Sequence, residues 1–272
     1  MNKIKCFYPN FKSKCFTMSY DDGVIQDVRF INYLNEYGIK ATFNLNSGLF
    51  SLLKFRDGVD NSRLSLNDVK KLYNGHEIAS HSLYHFHLER LNYEENFTQI
   101  EKDINNLKEI FNQNIFGFVY PYGTYSNDTI DVLKKLNVLY ARTTKPSYSF
   151  KVSDDLLLLS PTCSHSDNKL MQLALKFIQD KNELSLFYVW GHTYEFENNS
   201  SWNILEDLLK LISNKEDIAY LTNYQALSYV KAYRNLIIKE DIIINSSDID
   251  LYLEINNKKI IIKRNTEYKI GE

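Results

Sequence analysis

The sequence predicts an α/β fold: a distorted (β/α) barrel of seven or eight strands, followed by a small β-rich C-terminal appendage. Two observations predict the barrel and a third the appendage. From residue 14 to about residue 233, short apolar runs alternate with amphipathic stretches of helical period, the signature of βα units laid into a parallel sheet. Directly after several apolar runs stand acids, imidazoles and turn formers, in Tyr20-Asp21-Asp22-Gly23, His81-Ser82-Leu83-Tyr84-His85, Tyr120-Pro121-Tyr122-Gly123 and Gly191-His192. Strand ends of a barrel converge on one mouth, so this placement reads as an enzyme. Beyond Leu236 the helical period ends and strand-like runs follow one another. A doubly wound open sheet is the alternative, and against it no Gly-rich phosphate loop follows the first strand.

Taken in order, residues 14–19 are the first strand. Val28, Ile31, Leu34 and Tyr37 mark one face of the helix that follows, and Gly38 stops it. Residues 40–46 form the second strand. Ser65, with Asp68 three positions on, opens the next helix as a capping-box variant, and Gly75 closes it. Residues 77–80 are a strand leading into the histidines. Residues 93–111 form a long amphipathic helix with Phe97, Ile100, Ile104, Leu107 and Ile110 on one face. Strands are then expected at 115–119, 138–142, 156–159, 184–190 and 218–221, with helices at about 127–136, 168–179, 202–212 and 224–233. In the tail, 236–244, 250–255 and 259–263 are β-rich, and Asn256-Asn257 suits a tight turn. The expected division is a barrel over residues 1–234 and a β-rich extension over 235–272.

Size and charge narrow the function classes. A chain of 272 residues with 44% hydrophobic content suits one main domain, since a single α/β barrel takes about 200–250 residues. A formal charge of −2 without a basic run leaves no electrostatic footprint for nucleic acid. Three cysteines without Cys-x-x-Cys spacing argue against a disulfide framework and against a thiolate zinc site. No apolar run is long enough to span a bilayer, and no leader-like apolar stretch follows the N-terminal charges, so a cytoplasmic location is expected.

His81 and His85 are four apart. On a turn of helix both imidazoles would project to one side, as two histidines holding one divalent metal do. Ordinary helix faces show the same spacing, and Asp22 is what favours the metal. A carboxylate with two histidines leaves open positions for water and substrate, as a catalytic site requires. Asp21-Asp22 fits a plain solvated turn. Between an apolar strand and Gly23 it also fits a pair in which one acid faces the metal and the other is a general base. His192, just past Leu186-Phe187-Tyr188-Val189-Trp190, is either satisfied at a strand end or a general acid with an ordinary pKa near neutral. Tyr122 is either an ordinary turn residue or, between Pro121 and Gly123, the source of an amide N–H for an oxyanion.

The ordered set Tyr-Asp-Asp-Gly, His-Ser-x-x-His, Tyr-Pro-Tyr-Gly and Gly-His, over about residues 14–230, resembles the NodB-homology polysaccharide deacetylases, carbohydrate esterase family 4. That resemblance implies a NodB-like barrel with one divalent metal ion, zinc first and cobalt or another divalent ion next, that removes acetyl groups from sugars. Carried over by position, Asp22, His81 and His85 match the metal ligands, Asp21 the catalytic base and His192 the catalytic acid. The amide of Tyr122 matches the oxyanion donor. The implied activity is N-deacetylation of N-acetylhexosamine units. Hydrolysis of O-acetyl esters or of small linear or cyclic amides, and a non-catalytic carbohydrate-binding barrel, are the alternatives.

Two departures stand out. Many members of the family carry an arginine before Pro-Tyr-Gly that is thought to orient the base, whereas here Phe118-Val119-Tyr120 occupies the place and Asp21 must be held otherwise. The family's Asp-rich, Trp-containing fourth motif is replaced by Pro161-Thr162-Cys163-Ser164-His165-Ser166-Asp167. His165 and Asp167 read either as its substitutes or as a helix start capped by Asp167, and the second reading is favoured. Glu195 either contacts substrate or orients His192, while His76 and His87 are expected to be structural. Tyr84, Phe86, Tyr122, Tyr125, Trp190 and Tyr194 cluster around the motifs as flat rings suited to sugar faces.

Overall fold

Eight parallel strands form the central sheet in a computed structural model of the chain, which describes residues 4–271. Numbered along the chain, they are β1 (Lys14–Asp21), β2 (Ala41–Leu45), β3 (Glu77–Ser80), β4 (Gly117–Val119), β5 (Tyr140–Arg142), β6 (Cys163–Ser164), β7 (Ser185–Gly191) and β8 (Ile218–Tyr220). Their order in space is β5-β4-β3-β2-β1-β7-β6. β1 is the hub. β7 pairs with it over residues 14–20, β2 pairs with residues 18–21, and β8 pairs lower down with residues 14–16. The outer strands are bridged by residues 159–165. Leu159 donates to Ala141 O at 3.0 Å and accepts from Thr143 N at 2.9 Å, and Thr162 and His165 each donate across to β7 at 2.8 Å.

All eight residues of β1 are buried, and their alternation shows what each face does. Phe16, Met18 and Tyr20 join Phe30, Leu34 and Phe43 in the core between sheet and helices. The intervening Thr17, Ser19 and Asp21 face the barrel interior, as the period of two demands. There, Thr17 Oγ1 donates to Asn223 Oδ1 and Asn44 Nδ2 donates to Ser19 Oγ, both at 2.8 Å. The interior is therefore polar, and side chains at the strand ends open into it.

Helices α1 (Asp27–Glu36), α2 (Leu66–Leu72), α3 (Tyr93–Phe111), α4 (Asn127–Lys135), α5 (Leu170–Gln179), α6 (Thr193–Asn198), α7 (Trp202–Ile212) and α8 (Asn223–Arg234) complete the βα units. Ser65 caps α2 through Asp68 N, and Asn92, Ser126 and Thr222 form full capping boxes on α3, α4 and α8. Where a strand is expected at 156–159, the chain makes a 3-10 turn, Leu156–Leu158, with Asp155 accepting from Leu157 N. Only Leu159 reaches the sheet, while Leu156–Leu158 stay half-buried; a run this short carries no period that separates strand from turn. None of the helices is long and apolar enough to cross a membrane, among the described residues.

The tail holds two small antiparallel sheets. One joins Ile237–Lys239, Ile242–Asn245 and Thr266–Lys269; the other joins Ile4–Phe7, Leu251–Ile255 and Lys258–Ile262. The run expected at 236–244 is a hairpin, broken at Glu240, which adopts φ 51°. Asn256 and Asn257, both at positive φ, make the tight turn before Lys258. The N-terminal strand Ile4–Phe7 pairs with the tail rather than with the barrel. Asn245 is the clasp between the two sheets, its Nδ2 donating to Ile249 O, Ile262 O and Lys263 O at 2.8–3.2 Å. Tyr229 of α8 fixes the tail to the barrel by accepting from Tyr252 N at 2.8 Å. Replacing Asn245 by Ala strands buried carbonyls, so thermal or urea unfolding should show a loss of about 1–3 kcal/mol.

Candidate active site

Four strand ends meet in a cleft of about 520 Å³ lined by Asp21, Asp22, His81, His85, Tyr122 and His192, with Lys54, Arg63, Trp190 and Tyr194 beside them. Asp21 closes β1 with its side chain turned inward. Asp22 leaves the strand at φ 89°, held by its N–H to Asn44 O at 2.9 Å. Gly23 follows at φ 64°, where a Cβ would stand 2.7 Å from Leu45 Cδ2, so both conformation and space require glycine. This backbone reversal sends the two adjacent carboxylates to different partners. A larger cavity of about 790 Å³, lined by Phe150, Glu183 and Arg234 at the start of β7, gathers no comparable set of groups.

His81 and His85 do not share a helix. They stand on an irregular loop after β3, with Ser82 at φ 64° and His85 at φ 56°, and the loop brings the rings edge to face at 4.6 Å. Asp22 Oδ1 lies 4.0 Å from His81 Nε2 and 3.9 Å from His85 Nε2. One ligand atom from each of the three residues falls within 4.8 Å of the others. The donor chemistry suits a divalent ion. His81 Nδ1 lies 2.8 Å from Val119 O, which fixes its proton there and leaves Nε2 free to ligate. Asp22 Oδ1 is buried, with an arginine beside it in an ion pair but no hydrogen bond of good geometry. Burial and the neighbouring His85 push the His81 imidazole down to about 3, so it stays neutral, as a ligand must be. Two imidazoles and a carboxylate are a nitrogen and oxygen set that zinc or cobalt accepts.

Arg63 is the neighbour that sequence reading missed. It sits in a strap, residues 49–65, between β2 and α2, and the strap is sewn to the Asp22 loop by Leu64 N to Gly23 O at 2.9 Å and Ile25 N to Ser62 O at 3.0 Å. Its guanidinium donates to Asp22 O and places Nη2 2.9 Å from Asp22 Oδ1. Burial would raise the Asp22 carboxyl, but the Arg63 charge and the surrounding imidazoles hold it well below the usual carboxylate range. A loop arginine among surface-like residues gives no signal in sequence.

Asp21 is gripped from the other side. Arg142, the last residue of β5, is fully buried and places Nη2 2.6 Å from both Asp21 oxygens. Asn44 Nδ2 donates to Oδ1 at 2.7 Å, and the Trp190 ring lies 4.5 Å from the guanidinium carbon. Arg142 therefore answers the missing arginine before Pro-Tyr-Gly, reaching Asp21 from the next strand instead. Burial raises the Asp21 carboxyl, and Arg142, His81 and His192 together bring it below its ordinary value. A charge ending an apolar strand, as in Val138-Leu139-Tyr140-Ala141-Arg142, is the signal that could have found it.

His192 Nε2 faces Asp21 Oδ2 at 3.9 Å, and its Nδ1 is 3.1 Å from Glu195 Oε1. Glu195 Oε2 in turn lies 3.0 Å from Nε2 of the buried His165. Burial lowers the His192 imidazole, but the Glu195 hydrogen bond and the charges of Asp22 and Asp21 outweigh it, and the net shift is upward. His165 is thus a support for Glu195 rather than a helix-start residue. It is stacked 4.0 Å from Phe196 and set so close to Gly191 that a Cβ there would stand 1.9 Å from Nδ1. Asp167 does shape the turn before α5, accepting from Lys169 N at 2.8 Å, but it stays out of the cleft. Tyr122 adopts φ 59° and is clamped by rings, stacked on His87 at 3.8 Å and edge-on to His85 at 4.6 Å. His87, expected to be structural, props the wall of the site; His76 is structural, its Nδ1 accepting from Ala41 N at 3.1 Å.

Comparison with known proteins finds a family match and structures of the same fold. A family model described as polysaccharide deacetylase matches residues 9–141, the segment carrying Asp21, Asp22, His81, His85 and Tyr122. Those residues form a divergent polysaccharide deacetylase domain. No curated protein matches the chain. Among solved structures, a Mycobacterium smegmatis protein described as a polysaccharide deacetylase aligns at TM-score 0.60 and 14% identity over 88% of this chain and 99% of that one. A cobalt-bound family 4 acetyl xylan esterase from Clostridium thermocellum aligns at 0.52 and 15% over 79% and 90%. Streptococcus pyogenes deacetylase PplD is 26% identical at TM-score 0.46, over 52% of this chain and 61% of that one, so the chain spans about three fifths of that relative's length. The same fold serves a mutant of a family pseudoenzyme with restored activity, at 0.53 and 15% over 81% and 69%. Fold alone therefore does not decide activity within this family, and the side chains in the cleft must.

Two measurements check the site. Arg142→Ala leaves a buried carboxylate uncompensated and should cost about 3–5 kcal/mol in urea unfolding, with Arg142→Lys recovering part of it. In calorimetric titration of chelator-treated protein, zinc binding should be lost in His81→Ala and in Asp22→Ala while circular dichroism stays unchanged.

Proposed function

We propose that this deacetylase hydrolyses the acetyl amide of N-acetylhexosamine units in a carbohydrate chain, with Asp21 as general base and His192 as general acid. The observation that carries the proposal is the facing pair itself. Two titratable groups 3.9 Å apart are pushed in opposite directions, Asp21 downward and His192 upward, which is how one site keeps a base ionised and an acid protonated near neutral pH. Asp22, His81 and His85 would hold one divalent ion, zinc first, whose Lewis acidity would polarise the acetyl carbonyl and lower the pKa of water. Asp21, fixed by Arg142 and Asn44, takes the proton from the attacking water. His192, oriented through Nδ1 by Glu195, gives a proton to the departing amine from Nε2. The Tyr122 amide, at a backbone position clamped by His85 and His87, supports the oxyanion.

Tyr84 and Phe86, both exposed with ring centres 5.9 Å apart, offer flat faces beside the cleft for neighbouring sugar rings. The test is acetate release from N-acetylhexosamine oligosaccharides by chelator-stripped protein, before and after zinc or cobalt is restored, with an O-acetylated xylan in parallel. Release that returns only with metal and only from the amide supports the proposal. Release from the ester alone would move the substrate to O-acetyl groups, and no release with metal bound would favour a binding barrel.

Glu195→Gln provides a sharper check on the acid. It removes a charge that holds the His192 proton, so the folded-state pKa falls and the protonated form is lost at lower pH. The alkaline limb of the kcat/KM profile should shift towards lower pH, with the acid limb unmoved. His165→Ala should shift the same limb in the same direction by less.

A further inference from the structure

We infer that the sugar chain this cleft accepts carries a carboxylate beside the acetylated unit, and that Lys54 and Arg63 of the strap recognise it. The inference rests on the deacetylase reading and narrows its substrate class to acidic chains. Among the described residues lining the cleft, the acids are Asp21 and Asp22. Asp21 is neutralised by Arg142, and His192 is matched by Glu195. Asp22 alone must then answer Arg63 and, when the ion is bound, two further positive charges. Lys54, exposed on the strap, has no acidic partner among the described residues.

The cleft therefore holds an excess of positive charge, from Lys54 and from the ion when it is bound, set beside the Arg63–Asp22 pair whose 8% and 9% exposed side chains lie where water screens little. A neutral sugar polymer gives that charge no counterpart, whereas a carboxylate does, through charge-assisted hydrogen bonds to ammonium and guanidinium. Arg63 can serve both partners. Asp22 engages Nη1 and Nη2, and a guanidinium carries five N–H donors. Its position is fixed by the antiparallel bridge between Val24 and Arg63, so the cation is preorganised rather than recruited. The whole molecule, at −2, has no general attraction for anions, which makes the local excess the source of selectivity.

The experiment compares hyaluronan and chitin oligosaccharides of equal length, both with N-acetylglucosamine but only the first with carboxylates. Binding to zinc-loaded protein is read by stopped-flow tryptophan fluorescence before turnover, since Trp190 lines the cleft. The expected result is about fivefold tighter binding of hyaluronan, a preference that narrows with added salt and falls towards unity in Lys54→Gln. Equal affinities, a preference that survives Lys54→Gln, or binding of neither would overturn the inference. Acetate release measured in the same mixtures scores the deacetylase reading separately. A salt-sensitive, Lys54-dependent preference without acetate would leave the anion recognition standing and remove the chemistry.

Discussion

Two adjacent carboxylates buried at the end of one strand are the constraint around which the rest of the site is arranged. Taking either out of water costs several kcal/mol unless a cation and hydrogen bonds replace the solvent. Asp21 finds Arg142 and Asn44, from β5 and β2; Asp22 finds Arg63 on the strap and faces two imidazoles from the loop after β3. Each partner comes from a different segment of chain. The pair can therefore stay ionised only when strands, strap and loop are all in place, and the barrel's closure and the charge state of its mouth are one requirement.

Backbone geometry separates the two acids. Within β1 the strict alternation turns Asp21 inward, and a left-handed Asp22 followed by a left-handed Gly23 breaks the alternation so that the second carboxylate addresses the histidines. Positive φ recurs at Ser82, His85 and Tyr122, all at the same mouth. Such conformations are costly for residues with a Cβ and persist where surrounding contacts over-determine them. Here those contacts are the Asn44 carbonyl, the Ser82 hydroxyl accepting from His85 N, and the rings of His85 and His87 around Tyr122.

On the far side, His192 begins α6, whose first turn supplies Glu195 within reach of Nδ1. A single carboxylate spaced three residues on thus orients the imidazole, and His165 from the bridging segment 159–165 steadies that carboxylate. The same segment that joins the two edges of the sheet also supports Glu195 and, through it, His192, so the stretch Pro161–Asp167 combines a closing role with a positioning one. Gly191 permits this, since any side chain there would take the space of the His165 ring.

The sequence by itself determined the βα alternation, the ends of most helices, and the residues at the strand ends, because period, caps and turn formers are local properties. Asp21, Asp22, His81, His85, Tyr122 and His192 were legible for the same reason: they fall in four groups at or just past the ends of four apolar strands. Tertiary structure alone decided their partners. Arg142 lies 121 residues from Asp21 and Arg63 lies 41 from Asp22; the apolar strand before Arg142 marks it as a buried charge, but no local pattern names its partner, and none marks Arg63 at all. The histidine pair misled in form, since a four-residue spacing suggests a helix while two left-handed residues make a loop that brings the rings together. The strand Ile4–Phe7, the broken hairpin at Glu240 and the 3-10 turn at Leu156–Leu158 were invisible for a related reason: an apolar run of three or four residues has too few positions to show a period, and the segments it packs beside fix its shape.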